Sequence, residues 1–145
     1  MPFSEPGKTK FQVDLRRHLR NQDISDNLVH LICEIAEASK YVINAVRTGD
    51  LGVAGTSNLY GEEQLALDVL SDRIIRKRLI HSGVVCNIAS EEMDEIFQAQ
   101  ADADGLYSVA YDPLDGSSLV DVNLAVGTIV SIYERSEERR VGKEC

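Results

Sequence analysis

Tyr111-Asp112-Pro113-Leu114-Asp115-Gly116-Ser117-Ser118, with the doublet Glu91-Glu92 upstream of it, decides how this chain is read. Carboxylates that converge in a fold repel one another, and they stay ionised together only where cations stand between them. A ligand set made of oxygen alone points to Mg²⁺ or Mn²⁺ rather than zinc. Pro113 biases Asp112 toward an extended backbone and is expected to end strand pairing there. Gly116 permits a turn that leaves the amides of Ser117 and Ser118 free for an anion. The stretch reads as a metal site facing a phosphate.

Working outward, the 145 residues are 43% apolar and 27% charged, which fits one ordinary globular domain with a core of its own. No apolar run is long enough to span a bilayer, and the polar segment Met1 to Lys10, with Pro2 and Pro6, is unlike a signal peptide. The expected location is cytoplasmic. Cys33, Cys86 and Cys145 have neither metal-ligand spacing nor a disulfide framework, in keeping with a reducing compartment. A net charge of −9 argues against nucleic acid and anionic membranes as partners. It would also repel a phosphorylated sugar, so cations must reverse the field locally.

Ser25 is a plausible N-cap, and Leu28, Ile32, Ile35, Val42, Ile43 and Val46 recur at helical spacing after it, which predicts a long amphipathic helix to Arg47. Val13 to Arg20 reads as a short basic helix before it. The glycine-rich stretch from Thr48 to Gly61 reads as a mobile loop. A further helix is predicted from Glu62 to Ile80, with Leu65, Val69, Ile74, Ile75 and Leu79 on or near its buried side and Gly83 as its stop. Strands are expected over 84–89, 106–111 and 124–133. The first two deliver Glu91-Glu92 and Asp112 at their ends.

The run from Asp112 to Ser118 resembles the signature of the class I fructose-1,6-bisphosphatases. Gly55-Thr-Ser-Asn58, Gly61-Glu-Glu-Gln64, Leu67-Asp-Val-Leu-Ser71, Ser90-Glu-Glu92 and Ala125-Val-Gly-Thr-Ile129 support the resemblance, which extends from Ser25 to Glu134. The related inositol monophosphatases carry a similar Asp-Pro-Ile/Leu-Asp-Gly, but without the Ser-Ser continuation. The resemblance implies an α+β layered sugar-phosphatase fold, with N-terminal helices packed on a mainly antiparallel sheet, here incomplete. It implies a parent enzyme that hydrolyses the 1-phosphate of fructose 1,6-bisphosphate as a homotetramer, with Mg²⁺, or Mn²⁺ in its place, as cofactor.

By the same resemblance Glu62, Glu91, Glu92, Asp112, Asp115 and the backbone carbonyl of Leu114 are metal ligands. Asp68 activates the attacking water, and Glu92 also manages a proton. Asp115, Gly116, Ser117 and Ser118 hold the substrate's 1-phosphate. Taken singly, each acid also reads as a solvated turn or helix carboxylate, and only the whole constellation favours chemistry. None of His18, His30 and His81 sits in a pattern that supports a nucleophilic triad.

Two departures bear on function. The nucleotide-phosphate loop by which AMP inhibits many vertebrate members is not recognisable near Gln22 to Leu28, and Leu106 stands where a basic residue precedes the tyrosine, so that regulation is not expected. The family's distal phosphate pocket and a further metal-binding glutamate belong to its C-terminal half. Sedoheptulose-1,7-bisphosphatase or a dual enzyme is the close alternative, and a noncatalytic fragment is the alternative for these 145 residues taken literally. Residues 1–134 read as the metal- and phosphate-binding portion. Residues 135–145 change character abruptly, with seven charges in eleven positions, and Arg135-Ser-Glu-Glu matches a translated sequencing adapter; they read as a non-native tail.

Overall fold

In a computed structural model the described residues are 14–48, 60–99, 105–118 and 125–135. They form helices α1 (Leu15–Arg20), α2 (Asp26–Thr48) and α3 (Tyr60–His81), then strands β1 (Val85–Ser90), β2 (Phe97–Gln98), β3 (Tyr107–Asp115) and β4 (Gly127–Glu134). The strands make one sheet in the order β2-β1-β3-β4, and helices pack on it, an α+β arrangement. The pairings of β1 with β2 and of β3 with β4 are antiparallel, but the central pair, β1 with β3, is parallel, so the sheet is mixed.

The helix ends follow from their caps. The Ser25 hydroxyl accepts the Leu28 amide at 3.2 Å and also bonds the hydroxyl of buried Tyr107 at 2.9 Å, tying the start of α2 to the sheet. At the other end of the pair, Gly83 takes φ +71°, the left-handed conformation that stops α3 after His81.

The buried residues of α2 are Val29, Leu31, Ala38, Val42 and Ala45, with Ile35 half-buried against the core, and those of α3 include Leu67, Ser71, Ile75 and Leu79. These meet Val85 and Ile88 of β1 and Tyr107, Val109, Tyr111 and Leu114 of β3 in one core. Val42, Ile75 and Leu79 are buried as expected, but the expected faces are too wide. Ile43 is 57% exposed and Val69 44% exposed, whereas Leu31 and Ala38 are fully buried. Both helices carry apolar residues on two faces, and small side chains, Ala38 and Ser71, mark the face that can approach a neighbour closely.

Pro113 does not end the strand as expected. β3 runs on to Asp115, and pairing resumes there with Gly127 after a bulge in which the β3 side holds the extra residue. The bulge is where a residue without an N–H can be tolerated. The Pro113 carbonyl accepts the Thr128 hydroxyl at 2.9 Å. Gly49 and the glycine-rich stretch up to Leu59 lie outside the described residues, as do 136–145.

Candidate metal and phosphate site

Because β1 and β3 are parallel neighbours, their carboxyl ends lie at the same edge of the sheet, with Ser90 opposite Tyr111. The next residue on each strand is an acid, Glu91 on one and Asp112 on the other. Ligands collect outside the carboxyl ends of parallel strands because both chains leave the sheet there and open a crevice. The Glu91 amide donates to the Tyr111 carbonyl at 3.1 Å, which holds the two exits together. The Ser90 hydroxyl accepts the Glu92 amide at 3.2 Å and fixes the doublet's turn.

Asp112 is itself held by the bulge. Its carboxylate accepts the Leu114 amide at 3.1 Å, a turn that aspartate stabilises with its own side chain. Pro113 and Leu114 are buried beneath it. Gly116 follows with φ +81°, reversing the chain so that Ser117 and Ser118 form a single helical turn beside the acids.

The electrostatics mark these groups as one cluster. Glu91 is held above the ordinary carboxylate range first by a hydrogen bond shared with Asp112 and by its charge, and further by the Glu92 and Asp115 charges. Partial burial pushes Glu92 up, with the Asp68, Asp72 and Asp112 charges adding to it. Asp68, half-buried on α3, is raised by desolvation, lowered by a hydrogen bond with Ser117, and raised by the Asp112 charge. The surrounding carboxylates make Asp68, Glu91 and Glu92 harder to ionise, which is the condition a divalent cation relieves.

The fold thus brings Asp68, Glu91, Glu92, Asp112 and Asp115 within electrostatic reach of one another. Among the described residues no three of them already close on one point as a finished ligand cage. The Glu62 backbone lies in the first turn of α3, and its side chain lies outside the described part. The donor chemistry fits a hard cation, since every candidate group is a carboxylate, hydroxyl or main-chain oxygen and no histidine or cysteine joins them. Cys33 and Cys86 are free and half-buried, elsewhere in the fold. A cavity of about 610 Å³ lined by Tyr41, Ile74, Lys77, Arg78, Ile80 and His81 includes none of the clustered acids.

Sequence reasoning missed Asp72. It is 4% exposed, one turn beyond Asp68, and accepts the Tyr111 hydroxyl at 2.8 Å. Its signal was present as an acid four residues before Arg76 and four after Asp68, a pattern that reads equally well as a surface ion pair.

The family model described as fructose-1-6-bisphosphatase, N-terminal domain, matches residues 8–144. The class 1 fructose-1,6-bisphosphatase of Geobacter metallireducens is 98% identical over 134 residues, which cover 92% of this chain and 43% of that protein. That of Syntrophotalea carbinolica is 69% identical over 140 residues, 97% of this chain and 44% of that protein. Among solved structures, Leishmania major fructose-1,6-bisphosphatase in its holo form superposes with a TM-score of 0.73 at 28% identity, covering 87% of this chain and 40% of that one. The chain spans less than half the length of the curated relatives it matches. With a family model that runs over nearly its whole length, and with its acids gathered at the ends of two parallel strands, the chain belongs to the fructose-1,6-bisphosphatase family.

Proposed function

We propose that the protein to which this chain belongs hydrolyses the 1-phosphate of fructose 1,6-bisphosphate, with Glu62, Glu91, Glu92, Asp112, Asp115 and the Leu114 carbonyl holding Mg²⁺ or Mn²⁺. The observation that carries this reading is the meeting of Glu91 and Asp112 at one edge of the sheet, just past the paired Ser90 and Tyr111, where the Asp112 carboxylate raises the Glu91 carboxyl above its ordinary range. The names of the relatives supply the substrate. Bound there, the cations would neutralise the phosphoryl oxygens and acidify a water.

The remaining roles fall to the chain. The turn at Gly116, with the amides of Ser117 and Ser118, receives the phosphate next to Asp115. Asp68, desolvated and in hydrogen-bond contact with Ser117, takes the proton of the attacking water, and Glu92 handles the proton that follows. Recognition of the distal phosphate belongs to the part of the relatives that this chain does not match. The assembled enzyme works as a homotetramer in the cytoplasm.

In a full-length enzyme carrying these residues, Asp68→Asn leaves Mg²⁺ affinity in place and lowers turnover by about 10²–10⁴, the usual worth of a general base. Asp112→Asn weakens both. Phosphate release and Mg²⁺ titration of the two variants decide the matter. Full turnover by Asp68→Asn removes that residue from the chemistry, and unaltered Mg²⁺ affinity in Asp112→Asn removes the metal site.

A further inference from the structure

The groups behind the acidic cluster form a connected bracket. Tyr111 is 5% exposed and its hydroxyl donates to the Asp72 carboxylate at 2.8 Å. The other oxygen of Asp72 faces the Arg76 guanidinium at 3.5 Å, and Arg76 reaches on to the Met93 sulfur at 3.1 Å. Each anchor adjoins a residue assigned to the site. Tyr111 directly precedes Asp112, Met93 directly follows Glu91-Glu92, and Asp72 lies one turn of α3 beyond Asp68.

One buried carboxylate therefore links the three segments that carry the site. Acids that converge from three segments push one another apart, so their spacing must be imposed from behind. Stability alone does not call for this pair: a tyrosine hydroxyl and a carboxylate in a dry helix–sheet interface can be replaced by apolar groups of similar volume at little cost or with gain. A buried acid also adds negative charge to a site already crowded with it, and the Glu92 carboxyl feels that charge. What the pair offers instead is direction, because the hydrogen bond fixes the distance between α3 and the end of β3.

We propose that Asp72, bonded to Tyr111 and Arg76, is the positioning residue of the acidic site, holding Asp68, Glu91-Glu92 and Asp112 at the spacing a divalent cation requires. The inference rests on the cation-binding reading above and extends it to residues that touch no cation.

The test uses the 145-residue chain and Mn²⁺ alone, with free Mn²⁺ followed by electron paramagnetic resonance and folding by circular dichroism. Tyr111→Phe, which removes one oxygen and keeps the ring, and Asp72→Asn each weaken Mn²⁺ binding by about 10–100-fold, the usual effect of removing the group that orients a ligand. In the double variant the two losses do not add, because the Tyr111 hydroxyl and the Asp72 carboxylate act through one connected bracket. Ile75→Val, a core change on the same helix, lowers the thermal midpoint and leaves Mn²⁺ affinity where it was. Unchanged affinity in Tyr111→Phe and Asp72→Asn, or an equal loss in Ile75→Val, reduces the bracket to a structural contact. Should Asp72→Asn fail to fold, Tyr111→Phe decides alone. The underlying reading fails separately, if the unaltered chain binds Mn²⁺ no better than Asp112→Asn does.

Discussion

Ser25 shows how much one small side chain can do. Its hydroxyl satisfies an amide at the start of α2 and meets the hydroxyl of Tyr107, a residue 4% exposed at the beginning of β3. Ser25→Ala removes the cap and leaves a buried hydroxyl unpartnered at once. A lost cap costs about 0.5–2 kcal/mol, and the stranded tyrosine adds to it. Urea denaturation of Ser25→Ala should give a loss of about 2 kcal/mol, and Tyr107→Phe in the same background should return part of it. If the second change costs further stability, the two hydroxyls do not depend on each other. The same economy appears at Asp112, whose carboxylate secures its own turn through the Leu114 amide while facing Glu91.

At the scale of elements, the helices separate what a sequence reveals from what it withholds. Their existence and ends were legible because Ser25 and Gly83 have local physical reasons to stand where they do. Their rotation was legible in part: Val42, Ile75 and Leu79 were expected inside and are buried, but Ile43 and Val69 were expected with them and stand exposed, since only the sheet decides between faces equally apolar. Leu31→Ala should therefore cost about 2–5 kcal/mol and Ile43→Ala no more than about 0.5 kcal/mol, as thermal unfolding of the two variants can check. Comparable losses would mean that α2 is turned otherwise. The strands show a similar division. The acids were expected at strand ends; Glu91 directly follows β1, but Asp112 lies inside β3, just before its bulge, and the parallel pairing of β1 with β3 depends on contacts far apart in sequence. The two-residue strand β2 is too short to leave a pattern, and Pro113 hid the continuation of β3 because a bulge can excuse its missing N–H. Asp72 went unread for a related reason: burial turns a common helix charge into part of a site, and burial is a property of the fold.

Over the whole molecule, the cluster sets how stability follows pH. Asp68, Glu91 and Glu92 are each held above the ordinary carboxylate range, so the folded state keeps protons that the unfolded chain has released. Their stabilising contribution is present below the ordinary carboxylate range and is lost as pH rises through the raised values toward neutrality. Glu37 is lowered by its hydrogen bond to Lys40 and opposes this, but it is fully exposed and screened by solvent. A divalent cation held as proposed would reverse the trend, because it would bind only the folded, deprotonated cluster. Without Mg²⁺ the urea midpoint of the chain should fall between mildly acidic and neutral pH, and millimolar Mg²⁺ should raise it chiefly at neutral pH. A midpoint that ignores Mg²⁺ at both pH values would contradict a cation site.

The parallel register of β1 and β3 also bears on the order of events in time. The chain leaves β1 after Ser90, pairs briefly as β2 on its far side and enters β3 only at Tyr107 before the two parallel strands can lie side by side, and pairings of that separation form late. The edge that gathers Glu91 and Asp112 is therefore absent from most of the folding path and complete only near its end. A cation that recognises the finished edge slows the escape from the native state and leaves the approach to it nearly unchanged. Stopped-flow traces with and without Mg²⁺ would show this as a shift of the unfolding limb alone, and a faster refolding limb would mean that the strand ends meet early.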